Sequence, residues 1–415
     1  MSAGASAKRL FGTDGVRGEA GSFLSAELAL GLARQAATLA SGGPRDDRPQ
    51  VLVIRDTRES GPMLEAAAAA GIAAAGADAL LGGVLPTPAA PLLMRLYELD
   101  LAVVISASHN PYRDNGIKIF AADGRKLSDD LELQIEAALG GEAERFAGAR
   151  AMVAEARPSR GADEVQGDRP GSERPGSVRR LHATGEDYLR ALGERFRTLD
   201  PSGLSVVLDC ANGATHRVAP EMFRRLGATV RTIADTPDGR NINAGCGSTH
   251  IEALVAEVRS GGHEAGFAFD GDGDRVLAVD AQGEVVDGDE LMALIALHMK
   301  ESGRLGAGGV VVTVMTNFGF HRAMDVAGVP VATTTVGDRY VLQELSARGW
   351  MLGGEQSGHV VDLSFNSSGD GIACALLALE ALGGRPLSER AAMEKLPQRL
   401  VNVRVRDRGV LAGAG

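Results

Sequence analysis

At 415 residues, with 44% hydrophobic and 23% charged side chains, the chain has the make-up of a globular protein of roughly two to four domains, which excludes a collagen-like, disulfide-scaffold or wholly disordered class. Its 43 basic against 54 acidic residues leave a net charge of −11, so no general field invites nucleic acid or an anionic membrane, and an anionic ligand needs a local cationic pocket. Cys210, Cys246 and Cys374 lie far apart without the CxxC spacing of zinc or redox sites and read as buried free thiols of a cytoplasmic protein.

Residues 1–10 carry Lys8 and Arg9 with no apolar segment behind them, unlike a secretory signal. In Phe11 to Gly18, three glycines surround Arg17, which suits a structural ion pair as readily as a bidentate clamp on phosphate. The apolar run Val51 to Ile54 predicts a strand, followed by a turn at Arg55-Asp56-Thr57 and an Ala-rich helix beginning near Pro62. A second strand, Ala79 to Leu85, is closed by Pro86-Thr87-Pro88. The window Met63 to Leu85 is mostly Ala and Gly and holds Glu65 and Asp78, so it falls short of the ~20 strongly apolar residues of a membrane span. A third strand, Leu101 to Ile105, runs into Ser106-Ala107-Ser108-His109-Asn110-Pro111, and Asn115-Gly116 predicts a hairpin-type turn into Ile117 to Phe120. Helix Leu131 to Leu139 takes Ser128 as its N-cap, with Asp129 and Asp130 at the positive end of the dipole. Residues 157–175 mix Pro, Gly, Ser and charge without an apolar period and read as an exposed connection.

The same plan then recurs twice. Ser205 to Leu208, a turn at Asp209 to Gly213, a helix ending at Gly227, Thr229 to Ile233 and a turn at Thr236 to Gly239 form the second copy. Val310 to Val314, a turn at Thr316-Asn317, a helix ending near Gly328, Val329 to Thr333 and a turn at Gly337-Asp338 form the third. Each copy delivers one more apolar run that stops in a polar, Gly-rich loop: Ala265 to Phe269 before Asp270 to Arg275, and Trp350 to Leu352 before Gly353 to His359. Strands alternating with helical patterns predict tandem α/β domains, and loops at the carboxyl ends of such strands converge on one central cleft. The expected division is a first domain at 1–150, a linker with an exposed insertion at 151–182, a second domain at 183–286, a third at 287–396, and at 397–415, with the strand-like Leu400 to Val405, the start of a further unit.

The loops carry chemistry. Asp270, Asp272 and Asp274 alternate with glycines, so three carboxylates can face one hard cation; without it such charges repel. An EF-hand is excluded, because Arg275 replaces the required Gly and Ala281 the required Glu. Mg²⁺ fits, and Mg²⁺ calls for a phosphate partner. Ser108, read alone, is a turn or capping residue. Facing a divalent ion and Lys118, it is placed to carry a transferable phosphoryl group, since that transfer depends on positioning and charge neutralisation. No GxSxG elbow, GxGxxG or GxxxxGK[ST] pattern occurs. Glu355, Gln356, Ser357 and His359 offer hydrogen-bond partners suited to a sugar, or equally a polar turn.

The stretches FGTDGVRG, SASHNPYRDNGIK, NINAGCGSTH, DGDGDR, VGDRYV and GGEQSGH together resemble the α-D-phosphohexomutase superfamily, and within it the bacterial phosphoglucosamine mutases, from about Leu10 to Val405. The resemblance implies three α/β domains with mixed sheets sandwiched by helices. It implies Ser108 as the phosphoserine, with Ser108, Asp270, Asp272 and Asp274 holding Mg²⁺. Arg17, His109, Lys118 and Arg275 would surround the transferring phosphoryl group, with Lys118 the leading acid/base. Glu355, Ser357 and Asn110 would contact the substrate, with His359 close enough to assist proton transfer. The implied reaction interconverts glucosamine 6-phosphate and glucosamine 1-phosphate through a 1,6-bisphosphate, which also activates Ser108; a homodimer is one assembly it allows. A mutase of the same superfamily acting on glucose or mannose phosphates, and a non-catalytic Mg²⁺-binding interaction protein, are the rival expectations. The superfamily's fourth domain bears an RxSGTEP-type loop for the phosphate not being transferred, and this sequence has none, so 397–415 is expected to be the remnant of that domain.

Overall fold

The computed structural model describes residues 10–40, 48–140, 174–399 and 401. It contains three mixed sheets. The first is built from β1 (Val16–Glu19), β2 (Gln50–Arg55), β3 (Asp78–Val84), β4 (Leu101–Ile105), β5 (Asp114–Ala121) and β6 (Val178–Arg180), in the order β1-β5-β4-β2-β3-β6. The second holds β7 (Ser205–Asp209), β8 (Thr229–Ile233), β9 (Ala265–Phe269), β10 (Val276–Asp280) and β11 (Val285–Val286), ordered β11-β10-β9-β7-β8. The third holds β12 (Val310–Thr313), β13 (Val331–Thr334), β14 (Leu352–Gly354) and β15 (Val360–Asp362), ordered β13-β12-β14-β15.

One design underlies all three. A first strand (β2, β7, β12) pairs in parallel with the next on one side (β3, β8, β13) and with a third on the other (β4, β9, β14). That third strand then turns back into an antiparallel neighbour (β5, β10, β15). Strands buried on both faces must be apolar throughout, and β2 divides its residues accordingly. Val51 and Val53 face the core under helices Ala26–Ala40 and Gly61–Ala74, while Leu52 and Ile54 face a second core. That second core continues through Phe267, Leu291 and Val310 into the other two sheets, so the three domains share packed interior. Among the described residues no helix is long and apolar enough to cross a membrane.

Four sequence expectations shift. Asn115-Gly116 is not a turn: both residues lie inside β5, paired with Gly18 and Arg17 of β1. Asn115 is wholly buried; its Nδ2 donates to Ser60 Oγ at 2.9 Å and its Oδ1 accepts from the Gly116 amide at 2.8 Å, so tertiary partners hold extended a pair that in isolation favours a turn. The end of the expected linker at 151–182 is partly structural, because β6 adds a parallel edge to β3. Pro330, which has no N–H to give a ladder, moves the start of β13 to Val331, while its carbonyl accepts from Val310 at 2.9 Å. Gly353 and Gly354 belong to β14, so the third loop begins at Glu355. Ser128 does cap the helical residues 129–140, its Oγ accepting from Leu131 N at 3.4 Å. Residues 157–173 of the expected exposed connection, and all of the Leu400 to Val405 run except Val401, lie outside the described residues.

Candidate functional site

The hairpins from β4, β9 and β14 place loops 106–113, 270–275 and 355–359 at the corresponding end of each sheet, and the three loops touch. Ser108 is buried and sits at φ +52°, a left-handed backbone that costs a non-glycine residue about 1–2 kcal/mol. That conformation aims its Oγ at the second domain, where it donates to Asp270 Oδ2 at 2.5 Å. Gly271 beside it carries no side chain because a Cβ there would lie 2.5 Å from the Ser108 carbonyl oxygen. His109 Nδ1 is 3.3 Å from Ser108 Oγ. Burial, with Arg275 and Arg17 nearby, lowers the His109 pKa.

Asp270, Asp272 and Asp274 are all buried, with one carboxylate oxygen of each lying within 4.8 Å of the others. Lys118, from β5 and itself fully buried, reaches Asp272 at 2.7 Å and Asp274 at 3.6 Å. Thr87 Oγ1 also donates to Asp272, at 2.7 Å. One ammonium does not balance three carboxylates. Burial, then Asp274 and Asp272, push the Asp270 pKa well above its usual range. Against the same burial, Lys118, His359 and Arg275 hold Asp274 well below it. Burial works against the Lys118 charge too, yet Asp272, Asp14 and Asp274 raise its pKa. Asp272 Oδ1 and Asp274 Oδ1 are buried with no hydrogen-bond partner. A divalent cation fits this set: it would take the two orphaned oxygens and relieve the charge that otherwise drives Asp270 toward protonation. Titration with a divalent cation should therefore raise the unfolding free energy, by about 2.7 kcal/mol at a hundredfold excess over its dissociation constant, and with it the thermal midpoint, and EDTA should reverse the gain. Differential scanning calorimetry reads this directly, and identical midpoints with Mg²⁺ and with EDTA would remove the metal from the site.

The third loop closes the cluster. His359 Nδ1 stands 3.6 Å from Asp274 Oδ2, and its Nε2 lies 3.9 Å from Asp338 Oδ2. Although burial disfavours its charge, hydrogen bonding to Asp274 and the fields of Asp274, Asp338 and Glu355 raise the His359 pKa. Lys126 bonds Asp338 at 2.5 Å and also pairs with Asp14, which in turn pairs with Arg17. The result is a string of alternating charges from Arg17 in the first domain, through the third, to Asp274 in the second. Glu355 accepts the Gly337 amide at 3.0 Å, whereas Ser357 Oγ is buried with no partner. Arg275 donates its amide to Asp270 at 3.2 Å and leaves its Nε, like that of Arg17, buried without a hydrogen-bond partner. The unpartnered buried groups are thus the Arg17 and Arg275 Nε, the Ser357 hydroxyl and the His359 Nε2, and guanidinium and hydroxyl groups are types that recognise phosphate and sugar oxygens.

Of the expected site residues, Ser108, His109, Lys118, Arg17, Arg275, the three aspartates, Glu355, Ser357 and His359 gather here. Asn110 lies in the same loop, half-buried, with one Nδ2 bond donated to Asp114 at 2.9 Å. Five participants were not singled out from the sequence. Asp14 and Asp338 sit inside FGTDGVRG and VGDRYV, and Lys126 is one of five lysines, so motif membership and scarcity were available signals. Asn243, inside NINAGCGSTH, carried the same motif signal, whereas Arg58, which with Asn243 braces the Ser108 loop from beneath, gave no local sign.

The domain I, domain II and domain III models of the phosphoglucomutase/phosphomannomutase family, each described as alpha/beta/alpha, match residues 8–146, 186–283 and 287–399. Phosphoglucosamine mutase of Moorella thermoacetica is 50% identical over 404 residues, covering 96% of this chain and 85% of that protein. That of Rhodococcus erythropolis is 47% identical over 413 residues, covering 98% and 87%. Among solved structures, a phosphoglucomutase/phosphomannomutase family protein from Burkholderia thailandensis superposes with a TM-score of 0.75 at 23% identity, over 93% of this chain and 80% of its own. Aspergillus fumigatus N-acetylphosphoglucosamine mutase, in complex with GlcNAc-6P and magnesium, gives 0.61 at 17% identity over 97% and 83%. At those identities the two structures speak for the fold.

Proposed function

This chain belongs to the phosphoglucomutase/phosphomannomutase family, and we infer that it is a phosphoglucosamine mutase, interconverting glucosamine 6-phosphate and glucosamine 1-phosphate. The observation that carries the chemistry is the Ser108 hydroxyl, held 2.5 Å from Asp270 in a buried cluster of three carboxylates and one lysine. The amino-sugar assignment rests on the relatives, at 47–50% identity over nearly the whole chain.

In this reading Ser108 carries the phosphoryl group. Its Oγ–P bond breaks as a substrate hydroxyl oxygen bonds to phosphorus, and the substrate's hydroxyl proton passes through a basic group of the protein to the departing Ser108 Oγ. The product is a sugar 1,6-bisphosphate; after it turns over, the second phosphoryl group returns to Ser108 and the proton to the sugar oxygen. Asp270, Asp272 and Asp274, with Ser108, would hold Mg²⁺, whose contribution is to neutralise charge on the phosphoryl oxygens. Lys118 and His359 flank Asp274 at 3.6 Å each and are the groups placed to move protons. Arg17 and Arg275 each keep a buried Nε without a hydrogen-bond partner and suit the phosphate oxygens. Glu355 and Ser357 suit the sugar hydroxyls. A sugar 1,6-bisphosphate would load Ser108 at the start, and the three free, buried cysteines accord with a cytoplasmic place of action.

Phosphorus NMR on the chain with Mg²⁺, glucosamine 6-phosphate and a trace of glucosamine 1,6-bisphosphate tests this. Glucosamine 1-phosphate should appear. Faster turnover of mannose or glucose 6-phosphate would reassign the substrate, and silence on all three from folded protein would overturn the activity.

A further inference from the structure

Arg58 is the largest fully buried side chain among the described residues, and it does not touch the cleft. Its guanidinium has five N–H donors, and every one has an acceptor. Nε donates to Asp56 Oδ2 at 2.8 Å. One terminal nitrogen donates to the carbonyls of Pro111 and Asp114, the latter at 2.9 Å. The other donates to the carbonyls of Ser108 and Asn110, each at 2.9 Å. One side chain thus fixes three carbonyls of the loop that presents Ser108 and the first carbonyl of β5 that follows it. Asp56, its counter-ion, also accepts from Ser106 Oγ at 2.6 Å, and Ser106 Oγ in turn accepts the Ser108 amide at 3.0 Å. The amide and the carbonyl of Ser108 are therefore both tied to the Asp56–Arg58 pair.

A second hand comes from the other domain. Asn243 Nδ2 donates to the same two carbonyls, Ser108 at 2.8 Å and Asn110 at 3.1 Å. Asn243 itself is held in place, at φ +56° and with its amide donating to Ala211 at 2.9 Å. The carbonyls of Ser108 and Asn110 are the only acceptors shared by Arg58 and Asn243 in these bonds, and they lie across the seam between the first and second sheets.

We propose that Arg58 and Asn243 form a two-domain clamp that positions Ser108: they hold its strained backbone so that Oγ faces Asp270, and the loop is fully set only when the second domain supplies Asn243. Both are positioning residues, since neither reaches the reacting atoms. The inference deepens the mutase reading and rests on it for its kinetic consequences, but not for its structural ones. A lysine at position 58 would keep the charge and lose the planar fork that spans the carbonyls.

The test uses the whole chain with Arg58→Lys and Asn243→Ala, two readouts and a folding control by circular dichroism. Hydrogen exchange reports the loop without any substrate: amides of residues 106–114 should lose protection in both variants while the strands of the third sheet keep theirs. In steady-state turnover of glucosamine 6-phosphate, kcat should fall about 10- to 100-fold, as expected for a misplaced reacting group, with KM within about twofold of the original chain. If Arg58→Lys does not fold, Asn243→Ala decides the matter. Unchanged exchange at 106–114 together with unchanged kcat would overturn the clamp, as would a rise in KM with kcat intact. Should the original chain convert no sugar phosphate, the mutase reading fails while the exchange result still decides whether the clamp exists.

Discussion

Replacing Ser108 with alanine should reduce phosphoryl transfer at least about 10⁴-fold, the scale seen when a covalent carrier is removed from a site whose parts act as a unit. The chain should stay folded. The lost hydroxyl makes one charge-assisted hydrogen bond, to Asp270 at 2.5 Å, worth about 1.5–3 kcal/mol, and part of that loss is offset because Asp270 is already pushed toward its neutral form by burial and by its two neighbours. Ser108→Gly sharpens the prediction. At φ +52° alanine inherits the left-handed strain and glycine does not, so the glycine variant should be the more stable of the two by about 1 kcal/mol and no more active. Urea unfolding gives the first quantity and phosphorus NMR the second. Turnover by Ser108→Ala near that of the original chain would take the serine out of the reaction, whatever the fate of the metal centre.

The fold and most of the site were legible because their signals are contiguous. Asp270-Gly271-Asp272-Gly273-Asp274 announces a cation site within five residues, and each apolar run ending in a Gly-rich loop marks the carboxyl end of a strand. What escaped the sequence depends on partners distant along the chain. Arg58 contacts carbonyls about fifty residues away, and Asn243 reaches the same carbonyls from more than 130 residues away; a carbonyl acceptor leaves no trace in residue type. Asn115-Gly116 shows the converse failure. The pair has a strong local preference for a turn, and β1 on one side and Ser60 on the other override it. Strand β6 escaped because its residues, Val-Arg-Arg, are all exposed; edge pairing to β3 uses backbone groups that carry no hydrophobic period. Residues 337–355 lie between these extremes. Asp338 stood in a quoted motif, yet its meaning, as the link between Lys126 of the first domain and His359 of its own, required the domains to be assembled.

Lys118→Met should be the most destabilising single change in the cleft, and the size of the effect should depend on metal. Lys118 is wholly buried and supplies, among the described residues, the one ammonium paired with Asp272 and Asp274. Removing one partner of a buried ion pair typically costs about 3–5 kcal/mol, because the remaining charge is left without compensation. In EDTA the three carboxylates of the variant would keep the neutral donors Thr87 and Ser108 and the Arg275 amide, but only His359 at 3.6 Å and Arg275 at 3.9 Å would face them with positive charge, and most of the loss is expected. A bound divalent cation would supply the missing positive charge, so saturating Mg²⁺ should return a large part of the stability while leaving turnover low, since in the proposed mechanism Lys118 also serves the transferring group. The pH response has a definite sign. Burial opposes the Lys118 charge but the surrounding aspartates raise its pKa, so its contribution is present throughout neutral pH and is lost only as pH rises through that elevated value. In the methionine variant the aspartates lose the partner that held Asp272 and Asp274 low. Their carboxyl groups then titrate higher, and acidification from pH 7 toward 5 should stabilise the variant relative to the original chain. Chemical denaturation of both proteins at pH 5 and pH 7, each in EDTA and in Mg²⁺, measures all four arms. A loss that is equal with and without Mg²⁺ would mean that lysine and cation do not share the same carboxylates, and the metal centre would have to be placed elsewhere.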